Sequence, residues 1–154
     1  MGVMCPCGVI VSNPLNPNNE AVSNNNNVQF EGQTGTITGN IFYKARICVT
    51  TLESSTLTLR FQDTETPNLN NFTFTANAIT SFICKPEGQN CSITVTGTGI
   101  VNGMQFPFEA IFRDQVGQGE VDEVQAFEIT GFFNQTGAAP IDQGSIIALG
   151  CQEV

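Results

Sequence analysis

Apolar and polar residues alternate one by one over most of the chain, and this period of two limits the possible folds more than any other feature. Leu57, Leu59 and Phe61 are separated by polar residues, and residues 92–96 and 104–113 show a similar alternation. Successive side chains of a β-strand point to opposite faces, so each segment predicts a strand with one face in a core. No stretch shows the 3.6-residue period of an amphipathic helix. The chain is therefore predicted to be all-β.

The alternation and the turn-rich pieces between strands together predict an antiparallel fold. Asn102-Gly103 favours a type I′ turn, which predicts a hairpin of residues 91–101 and 104–113. Two sheets packed face to face bury one face of every strand, so a β-sandwich or jelly roll of about eight antiparallel strands is expected. The predicted strands lie near residues 28–31, 36–50, 57–62, 70–83, 91–101, 104–113, 123–133 and 145–151.

The first 27 residues differ in composition from the rest of the chain. Residues 13–27 contain eight Asn and two Pro and little that could be buried, which predicts an extended linker. We therefore divide the chain into an N-terminal connector and linker, residues 1–27, and a β-sandwich domain, residues 28–154. Within the connector, the apolar run Val9, Ile10 and Val11 is a candidate donor strand that would add to the sheet edge of a neighbouring copy; the alternative is a disordered terminus.

Charge and composition exclude several classes of function. The net charge is -9, with 14 acidic and 5 basic side chains, so nucleic acid and anionic lipid are poor partners. The sequence has no histidine, which removes Ser-His-Asp and Cys-His catalysis and histidine metal sites. The apolar runs are far shorter than the roughly 20 residues that span a bilayer, so no membrane insertion is expected. These features predict a protein that is not an enzyme.

Two of the six cysteines predict a disulfide within the chain. Cys84 and Cys91 flank the turn sequence of residues 85–90, and each continues the apolar phase of its own strand. An opposed pair across a hairpin brings Cα atoms close to the separation of about 5.5–6 Å that a disulfide needs. A Cys84–Cys91 bond is therefore expected, and two buried free thiols are the alternative.

The other four cysteines predict links between subunits. Cys5 and Cys7 are too close in sequence for an unstrained mutual bond, Cys48 lies in the outward phase of its strand, and Cys151 follows the last predicted strand. We expect Cys5 and Cys7 of one copy to bond to Cys48 and Cys151 of a neighbour. One alternative is a tail that folds back and closes both bonds on its own domain. Another is a metal site of four cysteines that combines the Cys-x-Cys of residues 5–7 with the Cys-x6-Cys of residues 84–91.

An acidic loop is the candidate metal site. Asp114, Glu120, Asp122 and Glu123 surround a glycine-containing turn, and carboxylate oxygens are the ligands that Ca²⁺ prefers. Their spacing matches no EF-hand, so a solvated acidic turn is the main alternative. No other cofactor is predicted. A secreted β-sandwich module that binds calcium or carbohydrate is the second functional hypothesis.

Part of the chain resembles a known family of bacterial surface modules. Residues 79–82, 92–103, 108–114 and 124–131, with the run Gly-Thr-Gly-Ile-Val-Asn-Gly inside the second segment, are similar to the pattern of the post-COAP type of domain. This resemblance covers about 100 residues from Val28 onward. It implies a β-sandwich module without catalysis, and it carries over no functional residues.

The arrangement of the whole chain resembles a second family. A cysteine-bearing connector before a compact β domain is similar to the subunits of bacterial endospore appendages, although Cys5-Pro6-Cys7 replaces the adjacent cysteines of that family. The resemblance implies covalent bonding of the connector to neighbouring subunits. The expected function is a structural subunit that self-assembles head to tail into a disulfide-crosslinked fibre. Its expected location is extracellular, on the surface of a cell or spore.

Overall fold

Strands make up most of the described chain. The computed structural model describes residues 5–65, 67, 69–115, 117, 120–142 and 144–150. A single helix, of the 3-10 type, lies among these residues at Val49–Ser54. The strands are β1 (Gly8–Val11), β2 (Ala21–Phe30), β3 (Ile37–Cys48), β4 (Thr56–Asp63), β5 (Phe72–Glu87), β6 (Asn90–Val101), β7 (Met104–Asp114), β8 (Asp122–Ile129), β9 (Phe133–Gln135), β10 (Ala139–Ile141) and β11 (Ile146–Leu149).

The sheet closes on itself as an eight-stranded barrel. The strands follow the order β3-β2-β9-β8-β7-β6-β5-β4, and pairing of β3 with β4 completes the ring. The all-β, antiparallel prediction is confirmed, but the sheet forms a barrel rather than the expected sandwich or jelly roll. The reason is that β3 is paired along both of its edges, so no separate second sheet forms. Register shifts in β2, β5 and β8 bend the ribbon, as closure requires.

The predicted hairpin of β6 and β7 is confirmed. Its pairing runs without interruption from Cys91 opposite Asp114 to Val101 opposite Met104. Asn102 and Gly103 connect the two strands with φ angles of 52° and 79°. A type I′ turn needs positive φ at both central residues, which explains why this dipeptide suits the position.

The core is a packed interior of apolar side chains. The inward residues of β4 have the alternation read from the sequence, with Leu57, Leu59 and Phe61 all at most 1% exposed. Five phenylalanines form a cluster at the end of the barrel where β3 begins: Phe30, Phe61, Phe72, Phe132 and Phe133. In the middle, the buried hydroxyl of Tyr43 hydrogen-bonds Oε1 of Gln135, and burial holds the pKa of this tyrosine well above its usual value. Side chains therefore fill the barrel interior.

Part of the segment predicted to be a linker belongs to the barrel. β2 begins at Ala21, so residues 21–27 pair with β3 instead of forming an extended linker. A bulge between Ser23 and Asn26 accommodates the asparagines, and Asn25 there has a φ of 58°. The amide side chain of Asn26 donates to Ser23 Oγ at 2.8 Å. Asparagine tolerates positive φ and bonds nearby groups, which is how a polar run enters a strand.

Candidate functional site: the slot that holds the N-terminal strand

β1 lies outside the ring of eight strands, in a slot between β3 and β11. It pairs antiparallel with both, from Gly8 opposite Cys48 and Leu149 to Val11 opposite Ala45 and Ile146. We call this position, bounded by β3 and β11, the β1 slot. Val9 and Val11 are 0% exposed, whereas Ile10 points outward and is half-buried. The predicted donor segment is therefore a strand with two hydrogen-bonded edges and one buried face, and the terminus is not disordered over Gly8–Val11.

Only glycine fits at the first residue of the β1 slot. A Cβ atom on Gly8 would lie 2.6 Å from the carbonyl oxygen of Ile47 and 2.6 Å from Sγ of Cys5. Real Cβ atoms do not approach backbone oxygen so closely, so a larger residue would push β1 away from β3.

Two disulfides join the residues before β1 to the barrel. Cys5 bonds Cys48 at the end of β3, with a Cα–Cα distance of 5.8 Å. Cys7 bonds Cys84 in β5, with a Cα–Cα distance of 5.9 Å. Both bonds lie within one chain. This is the arrangement that the sequence analysis gave as an alternative, in which the tail folds back and closes both bonds on its own domain. Cys48 is the partner expected for a tail cysteine, and Cys151 lies outside the described residues.

The expected Cys84–Cys91 disulfide is wrong, because Cys84 bonds Cys7. The turn between β5 and β6 is only Gly88-Gln89, so residues 85–87 belong to β5 and Asn90 to β6. This short turn places Cys84 opposite Ile93 and Cys91 opposite Pro86. The two cysteines share the inward face, as the sequence predicts, but they are not opposed. Cys91 is fully buried and is also disulfide-bonded.

The far edge of β11 is held by two buried carboxylates instead of a strand. Asp122 accepts the N–H of Ile146 at 2.8 Å, and Asp114 accepts the N–H of Ala148 at 2.9 Å. Asp122 also accepts the N–H of Gln115 at 2.9 Å through its other oxygen. These bonds satisfy backbone donors that a neighbouring strand would otherwise bind. They hold β11, and through β11 they support one wall of the β1 slot.

Burial raises the pKa of both carboxyl groups. In Asp114 desolvation is the main cause, the bond from Ala148 opposes it, and the charge of Asp122 adds to the increase. In Asp122 desolvation again raises the pKa, and backbone hydrogen bonds from Ile146 and Gln115 oppose it. Each aspartate therefore loses its contact with water on folding and accepts backbone N–H groups in its place.

The four carboxylates of the acidic loop are not gathered at one point in the described part of the chain. Asp114 and Asp122 are buried and bind backbone amides, Glu120 is exposed and accepts the N–H of Gly117, and Glu123 lies near Gln125. Among the described residues, no three His, Cys, Asp or Glu side chains are grouped closely enough to hold a metal ion. The described cysteines, Cys5, Cys7, Cys48, Cys84 and Cys91, are engaged in disulfides.

The connection from β1 to β2, residues 12–20, is a compact loop that ends in an ion pair. Backbone bonds from Asn13 to Asn19 and from Asn16 to Asn13 close it. At its end, Glu20 pairs with Arg60 of β4, with a distance of 2.9 Å between Oε1 and Nη2. The guanidinium of Arg60 also lies 3.8 Å from the centre of the Phe42 ring. Sequence reasoning missed this ion pair, because nothing in the local pattern joins residues 40 positions apart.

β1 and β2 share one edge of β3, so the chain makes a single long strand interrupted by residues 12–20. β1 pairs with residues 45–48 of β3 and β2 with residues 37–43. The loop projects Pro14, Leu15 and Pro17 into solvent, and Leu15 is 92% exposed. The strands that hold β1 in place are β3 and β11, and only the short, exposed loop of residues 12–20 connects β1 to β2.

The β1 slot binds a strand of the chain itself, and comparison with known proteins identifies no relative of the chain. In the described residues, no helix is long and apolar enough to cross a membrane. No protein-family model, no curated protein and no solved structure matches the chain.

Proposed function

We propose that this protein is a non-enzymatic structural subunit that self-assembles head to tail by exchanging β1 between copies. The observation that carries the proposal is the β1 slot, which binds β1 through backbone pairing on both edges and burial of Val9 and Val11. The slot is built from β3 and β11, so any copy of the chain offers it. β1 of a neighbour would make the same contacts as the chain's own β1.

The loop of residues 12–20 is the hinge of this exchange. It connects two segments that pair with the same edge of β3, so opening it leaves the pairing of β2 unchanged. An extended chain covers about 3.3 Å per residue, so the opened loop would reach about 30 Å, roughly the distance to an adjacent small domain. Short hinge loops with prolines are typical sites of domain exchange.

The cysteines make the exchange covalent. Because Cys5 and Cys7 travel with β1, their bonds to Cys48 and Cys84 would join neighbouring subunits when β1 is exchanged. The donated strand and the slot are different surfaces, so each copy can donate to one neighbour and accept from another. Repetition of such a contact gives a ring or an open fibre.

We place the assembly outside the cell, on the surface of a cell or spore. Disulfides are typical of proteins that mature in oxidising environments, and the described cysteines are all bonded. The resemblance of the cysteine-bearing connector to endospore appendage subunits supports a fibre. Nothing in the described residues favours the calcium- or carbohydrate-binding module over this proposal.

The concentration at which the reduced protein is oxidised tests the proposal. Exchange between copies is bimolecular, so oxidation at high concentration should give a ladder of multiples of 16.5 kDa on a denaturing gel without reductant. Oxidation at low concentration should give monomer, and reductant should collapse the ladder. The variant Cys5→Ser with Cys7→Ser should give monomer at every concentration. Monomer alone from the unmodified chain at every concentration would contradict the proposal.

A further inference from the structure

A groove opens beside the Cys5–Cys48 disulfide, at the end of the barrel where β3 ends. Its volume is about 550 Å³. Its lining is mostly apolar and includes Thr50, Thr51 and Ser54 of the 3-10 helix. We call it the disulfide groove, and the lining residues that matter here are Cys5, Ile10, Arg46, Cys48, Thr51 and Leu149.

Arg46 gives the disulfide groove a charge. Its side chain is exposed on the outer face of β3, opposite Ile10 of β1. Within the described part of the chain, neither an ion pair nor a hydrogen bond engages its guanidinium. Ile147, the partner of Ile10 on β11, is 48% exposed beside it. The groove is thus an apolar surface with one cation at its rim.

The opposite end of the barrel has the complementary character. Met104, next to the Asn102-Gly103 turn, is 62% exposed, and the half-buried rings of Phe106 and Phe132 lie 5.5 Å apart. Glu31 lies next to these rings, and its N–H donates to the carbonyl of Phe132. Together with Glu128 it lines a depression that contains no Lys or Arg. We call Met104, Phe106, Phe132, Glu31 and Glu128 the aromatic end.

We propose that the disulfide groove of one copy docks the aromatic end of the next copy. Met104 would enter the groove over Ile10 and Leu149, and Glu31 would pair with Arg46. The charge complementarity between the two ends, in a chain of net charge -9 that carries few cations, identifies a second copy as the partner. The inference rests on the proposed self-assembly and adds a non-covalent contact to it.

The geometry of this contact favours a fibre. The two surfaces lie at opposite ends of β3, which runs from Ile37 to Cys48, and a strand rises about 3.3 Å per residue. A contact between opposite ends is heterologous, so it repeats along a line. The disulfide groove also adjoins the β1 slot, since Ile10 and Leu149 belong to both.

Charge reversal on the oxidised monomer tests the docking. With both disulfides closed within the chain, sedimentation velocity over a concentration series should detect reversible association. Arg46→Glu should weaken this association at least about tenfold, because it opposes two negative charges. Lys44→Glu is the matched control: it makes the same charge change on the same strand, at an exposed residue that does not line the groove, and should leave association nearly unchanged.

A second substitution distinguishes a specific contact from general repulsion. Glu31→Arg in the Arg46→Glu background should restore association, and Met104→Ser alone should weaken it. Absence of association in the unmodified monomer, equal effects of Arg46→Glu and Lys44→Glu, or failure of Glu31→Arg to restore association would each overturn the proposal. Covalent ladders from oxidised mixtures report β1 exchange separately. A ladder that Arg46→Glu leaves intact, with no monomer association, would reject docking and keep exchange.

Discussion

Asp122 accepts the backbone N–H of Ile146, the first residue of β11, at 2.8 Å. The bond gives β11 a partner on the edge that faces away from β1. Asp114 repeats the arrangement two residues later with Ala148. Since β11 is one wall of the β1 slot, these two aspartates couple the acidic loop to the N-terminal strand.

Replacing either aspartate by asparagine should destabilise the fold, and Asp122→Asn should cost more. Asp122 uses both oxygens to accept N–H groups, from Gln115 and Ile146. In an asparagine, an NH₂ group would replace one of the two acceptor oxygens, and this donor would face a backbone N–H, which is also a donor. We expect a loss of about 1–3 kcal/mol in the free energy of unfolding for Asp122→Asn and a smaller loss for Asp114→Asn. Urea unfolding measures both, and a larger loss for Asp114→Asn would contradict this account.

Stability should depend on pH through the same pair. Burial raises the pKa of Asp114 and Asp122 above the ordinary 3.8, so the folded chain binds these protons more tightly than the unfolded chain. Their contribution is complete below pH 3.8 and is lost as the pH rises through the raised pKa values. The urea midpoint should therefore fall over this range. The fall should be shallower in Asp114→Asn, and an equal slope in both proteins would reject the assignment.

Shortening single side chains of β1 should show which face of the strand holds it in the β1 slot. Val9 is fully buried, whereas the neighbouring Ile10 points outward. Val9→Ala should lower the free energy of unfolding by about 2 kcal/mol, because it leaves a small cavity in the core. Ile10→Ala removes more atoms but should cost under about 1 kcal/mol, since its side chain is only half-buried. Reversal of this order in urea unfolding would place β1 in another register.

The tail disulfides should contribute strongly to the stability of the oxidised monomer. The bond Cys7–Cys84 closes a sequence separation of 77 residues, and Cys5–Cys48 one of 43. Loop entropy predicts losses of about 4 kcal/mol on removal of either bond. The paired variants Cys7→Ser with Cys84→Ser and Cys5→Ser with Cys48→Ser avoid new free thiols at these positions. Guanidinium unfolding at low protein concentration measures each loss, and midpoints equal to that of the unmodified chain would show that the bonds do not form in the monomer.

The ion pair between Glu20 and Arg60, at the end of the hinge loop, should make a modest contribution to the free energy of unfolding. Glu20 is nearly buried, and Arg60 both pairs with it and stacks on Phe42. Arg60→Lys keeps the charge but loses the planar contact, and should cost about 1 kcal/mol. Thr58→Val, at a half-buried outward position on the same strand, is a control that should have little effect. If Arg60→Lys leaves the urea midpoint unchanged, the planar contacts of the guanidinium with Glu20 and Phe42 add nothing to stability.

Local pattern was sufficient to predict most of the strands, though not β10 or the break between β8 and β9, and it did not predict how they join. Alternation at Leu57, Leu59 and Phe61 predicts a half-buried strand whether the sheet closes as a barrel or packs as a sandwich. Closure depends on β3 pairing with β2 and β4 at once, which is a long-range property. The strand β2 was missed over residues 21–27 because a bulge and asparagine side chains replace the apolar alternation there.

The candidate site was predicted in part, for a similar reason. The run Val9 to Val11 and the choice of Cys48 as partner of a tail cysteine follow from strand propensity and outward phase, but the bond was expected between two copies and lies within one chain. Cys84 was assigned to the wrong partner because turn length fixes register, and a two-residue turn moves the opposed pair away from Cys91. Likewise the grouping of Asp114 and Asp122 with other carboxylates around a turn suggests a cation, whereas in the fold both accept backbone N–H groups of β11.

A complementation experiment tests the exchange of β1 most directly. One variant, Cys48→Ser with Cys84→Ser, keeps the tail thiols but lacks their acceptors; the other, Cys5→Ser with Cys7→Ser and a mass tag, keeps only the acceptors. The two are mixed in the reduced state, oxidised, and run on a denaturing gel without reductant. Exchange of β1 should give a heterodimer of about twice 16.5 kDa plus the tag, which neither variant forms alone. Monomers alone in the mixture, with both variants folded by circular dichroism, would contradict it.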